Sequence, residues 1–292
     1  MTKKLFLFIA LFSACALQAK PRIDRAEPLC WWTEMNCPLT LLLHGEDLAD
    51  AQVTINQLQN GRVVKGECTG LQVKSQHNAE SPNYLFVDVA VAADAKAGDY
   101  TLRFTNGKSK FDYKYTIAER REDSRERESF TTADFVYLIM PDRFANGDVS
   151  NDSTDNTVEK ADRSKPGRRH GGDLEGMIAH LDYIADLGAT AIWSTPLLLD
   201  NENGASYHGY SCSDYYLIDP RYGSNELFKS YVEECHKRGL KVIMDIVPNH
   251  SSTTHWWYKD QPFRDWTHQW DKYTQSNWTF STNMDFNASK AD

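Results

Sequence analysis

Two hydrophobic periods succeed one another along this chain of 292 residues. From about Ile23 to Ile117 apolar residues come in short alternating runs: Leu39–Leu43, Ala51–Ile55, Tyr84–Val91, Tyr100–Thr105 and Phe111–Ile117. A period of two places alternate side chains on opposite faces, so each run predicts a strand. Turn chemistry separates them at His44-Gly45-Glu46-Asp47, Asn60-Gly61, Ala97-Gly98-Asp99 and Asn106-Gly107. Short strands at this spacing predict an all-β, immunoglobulin-like sandwich over residues 20–118. Residues 119–130 are almost wholly charged, with no apolar stripe; they predict a solvated linker, a short surface helix being the alternative.

After Phe130 the period changes. Asp134–Met140 predicts a strand. Gly171-Gly172-Asp173 opens a helix with Leu174, Ile178, Leu181 and Ile184 on one face, stopped at Gly188. Ala191–Ser194 is a short strand. Ser224 caps a second helix bearing Leu227, Tyr231, Val232 and Cys235, stopped at Gly239. Leu240–Val247 is a third strand, apolar enough to be buried on both faces. Strand, helix, strand, helix, strand implies parallel pairing. The chain shows no internal repeats, and the tail after His250 has no clear period.

Composition narrows the function. The net charge of −9 argues against nucleic acid and anionic membrane, which need a basic face. Aromatic residues make up 12% of the chain, and flat π surfaces suit the C–H faces of sugar rings, although most such residues simply fill a core. Residues 1–19, with Lys3 and Lys4 before the apolar run Leu5–Leu17, read as a secretory signal peptide cleaved after Ala19, hence a secreted, periplasmic protein. The imperfect lipobox at Phe12–Cys15 makes a lipid anchor at Cys15 the alternative. The other five cysteines show no CxxC spacing, which argues against zinc; Cys30 and Cys37 are close enough in sequence to pair, and no pairing is assigned.

The third strand ends Asp245-Ile246-Val247-Pro248-Asn249-His250. An Asp, an Asn and a His at a strand's carboxyl end can bond sugar hydroxyls, but alone this pattern reads as a polar turn. Its context is more specific: Met140–Asp148, Leu187–Pro196, Tyr207-His208-Gly209-Tyr210 and Asp214–Gly223 precede it. In this order the motifs resemble those of the α-amylase superfamily, glycoside hydrolase family 13, and within it the neopullulanase and cyclomaltodextrinase group. Glu27–Trp32 is similar to the start of that group's N-terminal domain. The resemblance implies that residues 131–250 are the first βα units of a (β/α)8 TIM barrel, incomplete in this chain, with 251–292 starting the inserted domain B. It implies substrate-binding roles for His208, Tyr210, Asp245 and His250: Tyr210 stacking under the glucose beside the scissile bond, His208 nearby, His250 on that sugar's primary hydroxyl, and Asp245 supporting the site. A plain turn role for His208 is the competing reading.

A second cluster is oxygen-rich: Asn146, Asp148, Asn151, Asp152 and, further on, Asp173. Ca2+ takes six to eight oxygens of these kinds. It is no EF-hand, since Ser153 stands where that loop needs glycine. Calcium-binding relatives hold an ion with this pattern and add the Gly171 carbonyl, so the implied set is Asn146, Asp148, Asn151, Asp152, Gly171 and Asp173; a metal-free Asx-rich turn is the other reading.

Retaining glycosidases need two carboxyl groups about 5 Å apart. In this superfamily they follow the fourth and fifth barrel strands. The last glutamate is Glu234, and none of Asp260, Asp265, Asp271, Asp285 or Asp292 follows a strand-like run in the family's Arg-x-Asp pattern. Roughly 160 residues after Phe130 also fall short of the roughly 250 of a barrel. The expectation is an α-glucan hydrolase acting on starch, maltodextrin, pullulan or cyclodextrin by double displacement in its full-length parent, this chain being inactive alone. The alternative is a secreted, non-catalytic glucan-binding protein. A homodimer of the parent through the sandwich is left open.

Overall fold

The computed structural model describes residues 22–268, apart from 36, 60, 65–67, 69 and 108. The leader, Cys15 and most of 251–292 that concern the predicted domain B lie outside the described residues. The chain divides into two compact units, one ending at Arg120 and one beginning at Arg121.

The first unit contains β1 (Arg22–Glu27), β2 (Cys30–Trp32), β3 (Leu39–Glu46), β4 (Gln52–Gln59), β5 (Arg62–Val63), β6 (Leu71–Asn78), β7 (Tyr84–Val91), β8 (Gly98–Asn106) and β9 (Ser109–Ala118). They form two sheets, ordered β1-β3-β7-β6 and β2-β9-β8-β4-β5. The alternation explains the layering. Leu39, Leu41 and Leu43 of β3 and Leu85, Val87 and Val89 of β7 turn inward against Val53 and Ile55 of β4 and Leu102 and Phe104 of β8. Buried Tyr100 and Tyr115 satisfy their hydroxyls on the carbonyls of Lys96 and Pro28, as buried phenols must. The apolar pattern did not predict β1, β2, β5 and β6. Arg22–Glu27 and Leu71–Asn78 carry mostly polar or charged side chains, so their outward faces mask the inward Ala26 and Leu71.

In the second unit β10 (Val136–Ile139), β11 (Ala191–Ser194) and, after the short antiparallel pair β12 (Leu198–Leu199) and β13 (Asp214–Ile218), β14 (Lys241–Met244) are the framework. β10, β11 and β14 make one parallel sheet in that order. Between β10 and β11 run α1 (Pro141–Phe144), a long loop, α2 (Leu174–Ala179) and α3 (Leu181–Asp186); α4 (Asn225–Lys237) precedes β14, and α5 (Trp256–Lys259) follows it. Asp173 caps α2 by accepting from Gly176 N, and Ser224 caps α4 by accepting from Leu227 N. Left-handed Gly188 and Gly239 follow α3 and α4.

Two expectations are corrected. The helix opened by Asp173 is two helices, broken at His180. The His180 ring nitrogen Nδ1 lies 2.8 Å from the Gly176 carbonyl, the position its own backbone N–H would take in a continuous helix, while that N–H bonds Met177 O instead. The third strand is shorter than Leu240–Val247 and is not buried on both faces. One face of the sheet, bearing Tyr137, Ile139, Ile192 and Val242, packs on the helices; the other carries Leu138, Trp193 and Ile243 in one row across the register. Leu138 is 56% exposed and Trp193 39% exposed.

Candidate functional site

The parallel register decides the geometry at the sheet's carboxyl end. Trp193 stands on β11 opposite Ile243 of β14, and Asp245 follows just beyond β14. The Trp193 indole Nε1 donates to Asp245 Oδ2 at 3.0 Å, and the Tyr210 hydroxyl donates to the same oxygen at 3.2 Å. The Asp245 carboxylate thus bridges an indole and a phenol from two separate segments. Partial burial, followed by the neighbouring Asp245 charge, pushes the Tyr210 hydroxyl pKa up, so it stays a donor.

His208 and His250 flank this pair. Tyr210 N donates to His208 Nδ1 at 2.9 Å, which places the remaining proton of a neutral His208 on Nε2. Burial lowers the pKa of His208, in keeping with that neutral form. His250 Nε2 lies 2.9 Å from the Tyr210 carbonyl and donates to it. The Tyr215 hydroxyl closes the strand end, 2.9 Å from the carbonyls of Val247 and His250. All four residues expected to touch sugar are therefore in one linked cluster, although His250 spends its Nε2–H on Tyr210.

Sequence reasoning missed what holds this cluster. Asp200 is fully buried, 3.9 Å from His208 Nδ1, and accepts from the backbone N–H of Glu202 and Ser211. Burial raises its pKa to about 7. Beneath it lies a buried ionic network. Arg221 bonds both carboxylate oxygens of Asp219 at 2.9 and 2.7 Å and the Glu159 carbonyl at 2.9 Å. Arg169, stacked over the Tyr222 ring at 4.6 Å, donates to Ser206 O at 3.1 Å. Glu159 Oε2 takes the Ser206 N–H at 2.7 Å. Burial opposes ionisation of Asp219, but Arg169 and Arg221 outweigh it and hold the carboxyl below the usual range. Arg169 lies between Arg168 and His170 in the sequence, and only folding shows that it is buried. Trp193 lies inside a quoted motif, and its distance from Asp245 follows from register alone.

The oxygen-rich residues also gather, around the loop after α1. Asp173 takes backbone N–H groups from Gly147 (2.9 Å), Asp148 (2.8 Å) and Gly176 (2.7 Å), and Asn151 Nδ2 at 3.2 Å. Asp148 Oδ1 accepts from Ser150 N and Oγ, which lowers its pKa. Asn146 Nδ2 donates to Asp152. Two buried amide oxygens, Asn146 Oδ1 and Asn151 Oδ1, have no hydrogen-bond partner. Gly171 is left-handed, φ +86°, and a Cβ there would collide with the Asp152 carboxylate, so the backbone closes on the cluster from that side. Among the described residues no three His, Cys, Asp or Glu side chains are arranged to hold a metal; an ion here would lean on amide and carbonyl oxygens as well as carboxylates, the donor set of a hard cation. Cys37, Cys68, Cys212 and Cys235 are free thiols, the last two buried.

The chain thus joins a β-rich unit to an α/β unit that carries an aromatic and carboxylate cluster at its strand ends. Residues 138–289 match the alpha amylase catalytic domain and residues 25–121 the cyclomaltodextrinase N-terminal domain. The chain belongs to the α-amylase family. Among its relatives, a cyclomaltodextrinase of a Bacillus species is 38% identical over 139 residues, 45% of this chain and 24% of that one. Neopullulanase 2 of Thermoactinomyces vulgaris is 40% identical over 142 residues, 46% of this chain and 23% of that one. The matches thus span about a quarter of the length of these curated relatives. An Anoxybacillus α-amylase structure aligns at 41% identity over 51% of this chain and 31% of its own, with a TM-score of 0.44. No helix of the described residues is long and apolar enough to cross a membrane.

Proposed function

We propose that this chain is the sugar-gripping part of an α-glucan hydrolase of the α-amylase type, exported to the periplasm. The carrying observation is the Trp193–Asp245–Tyr210–His250 cluster at the carboxyl end of a parallel sheet. In the parent the sheet would continue into a (β/α)8 barrel, whose sites lie at that end. Relatives named cyclomaltodextrinase and neopullulanase support starch-derived or cyclic α-glucans as substrates.

On this reading the Tyr210 ring receives the apolar face of one glucose. Asp245, fixed by two donors, accepts from a sugar hydroxyl with its remaining lone pairs. His208 offers Nε2–H, and His250 turns Nδ1 or, on releasing the Tyr210 carbonyl, Nε2 to the hydroxyls. Asp245 is a support, neither the nucleophile nor the acid of a double displacement. The calcium reading rests on the two partnerless amide oxygens: Asn146, Asn151, Asp152 and the Gly171 carbonyl would ligate first, with Asp148 and Asp173 releasing some of their present hydrogen bonds. The ion would supply structural charge, pinning the loop after α1 to the start of α2.

The test uses the purified 292-residue chain. Isothermal titration with maltoheptaose should give binding, and Tyr210→Ala should weaken it about tenfold, the worth of a lost aromatic stacking contact plus its hydrogen bond. Incubation should release no reducing sugar. Failure of the chain to bind maltoheptaose, or measurable turnover, defeats the corresponding half of this reading.

A further inference from the structure

Tyr210 and His250 meet although they stand 40 residues apart in the chain. Glu202, which lies outside every motif of the sequence, ties their segments together. Its Oε1 accepts from Ser252 Oγ at 2.5 Å and from Ser211 Oγ at 3.4 Å. Ser211 directly follows Tyr210, and Ser252 stands two residues after His250. One carboxylate oxygen therefore holds both segments. Ser252 is buried, and its backbone N–H bonds the Cys212 carbonyl at 2.8 Å. Glu202 is placed in turn by Asp200, which accepts from its backbone N–H at 3.2 Å and from that of Ser211 at 3.1 Å.

The protons behind this tie run in one direction. A hydroxyl has one proton to give, and a carboxylate only accepts, so Ser252 gives its proton to Glu202. The 2.6 Å bond between Ser252 Oγ and Thr254 Oγ1 then needs the Thr254 proton. The 2.6 Å bond between Thr254 Oγ1 and Ser213 Oγ needs that of Ser213. Asn201 N–H enters at the far end, 2.9 Å from Ser213 Oγ, and Thr254 N–H donates to Ser252 Oγ at 2.9 Å. Every hydroxyl points towards Glu202, and bonds in such a chain strengthen one another. The carboxylate that ends the chain sets its direction. The exposed His250 ring keeps its tautomer through Nε2, which donates to the Tyr210 carbonyl, and Nδ1, 3.4 Å from Asn249 Nδ2. Both bonds require the loop after β14 to stay where Ser252 is held. We infer that Glu202 is a positioning residue of the sugar-gripping cluster: through Ser211 and Ser252 its carboxylate sets the spacing of Tyr210 and His250. The inference rests on the glucan reading for what the spacing serves, and on the hydroxyl chain for how it is set.

The experiment uses the full chain with two readouts, maltoheptaose affinity by calorimetry and the ring nitrogen shifts of His250 by NMR, which report its tautomer. In wild type His250 should carry its proton on Nε2. Glu202→Ala should mix the two tautomers and weaken maltoheptaose binding about 5- to 10-fold, the worth of a hydrogen bond to a charged group. Glu202→Gln keeps an oxygen for Ser252 and should restore the wild-type tautomer, with binding within about twofold. Ser252→Ala should reproduce Glu202→Ala, and the double variant should add almost nothing, as for two members of one network. Should Glu202→Ala lose its circular dichroism signature, Ser252→Ala, which removes a single hydroxyl, carries the test. An unchanged His250 tautomer overturns the inference, even where affinity falls, because a merely structural role gives that result. A changed tautomer with wild-type affinity overturns it too. Losses that multiply in the double variant show that Glu202 and Ser252 act separately, which also overturns it. Wild type that binds no maltoheptaose defeats the glucan reading, and the His250 tautomer then decides by itself whether Glu202 sets the spacing.

Discussion

Asp200 shows how much a single buried carboxyl decides. Surrounded by protein and holding only two backbone donors, it has a pKa raised to about 7, with burial as the chief cause. The folded value lies above that of an unfolded aspartate, so the stability it lends is fully present below about pH 4 and is lost as pH rises towards 7. Asp200→Asn mimics the protonated form. The melting temperature of wild type relative to Asp200→Asn should therefore fall between pH 5 and pH 8, by the equivalent of about 2–4 kcal/mol; a pH-independent difference would refute the assignment. Ser211, whose N–H it holds, directly follows Tyr210, so this carboxyl also fixes the backbone beside the proposed sugar-stacking ring. No local pattern marks Asp200: it lies in Leu198-Leu199-Asp200-Asn201, which reads as an ordinary loop entry.

At the scale of elements, caps and breaks matter most. Asp173 ends one loop and begins a helix: two donors come from the loop after α1 and one from the first turn of α2. Asp173→Ala strands these N–H groups, that of Gly176 buried, and removes a cap, which should cost about 2 kcal/mol in urea unfolding. Millimolar CaCl2 should raise the melting temperature of wild type, and EDTA should reverse the rise. Asn146→Ala, which removes one partnerless oxygen, should abolish the calcium response while changing the melting temperature in EDTA little; an unchanged response would remove Asn146 from the ligand set. The cap at Asp173 was legible, because an Asx residue before an apolar helical stripe has a local cause. The break at His180 was not, since it depends on a side chain competing for one carbonyl within an otherwise continuous stripe. In the first unit, Asp88 on β7 gathers Ser75, Thr40 and His77 across two neighbouring strands, holding its pKa down at about 2. That cluster too exists only through strand pairing.

For the molecule as a whole, the two units have separate cores, and the second depends on charge buried beneath its site. Arg221 and Asp219 are essentially without solvent contact. Removing one partner of such a pair leaves an uncompensated charge, at a cost of about 3–5 kcal/mol. Arg221→Met should accordingly lower the unfolding transition of the second unit sharply and leave that of the first in place, as hydrogen exchange resolved by segment would show. Equal loss in both units would contradict this account. The sequence alone determined the element types wherever burial is periodic, the β-rich unit followed by parallel strands and helices, and the family motifs, because those follow from local alternation and spacing. Tertiary structure decided the rest. The meeting of Trp193, Tyr210 and Asp245 depends on strand register, and the pKa of Asp200 and the burial of Arg169 depend on which distant loops cover them. The open row of Leu138, Trp193 and Ile243 depends on which face the helices occupy. Each is a contact between residues far apart in the chain, and no local period records it.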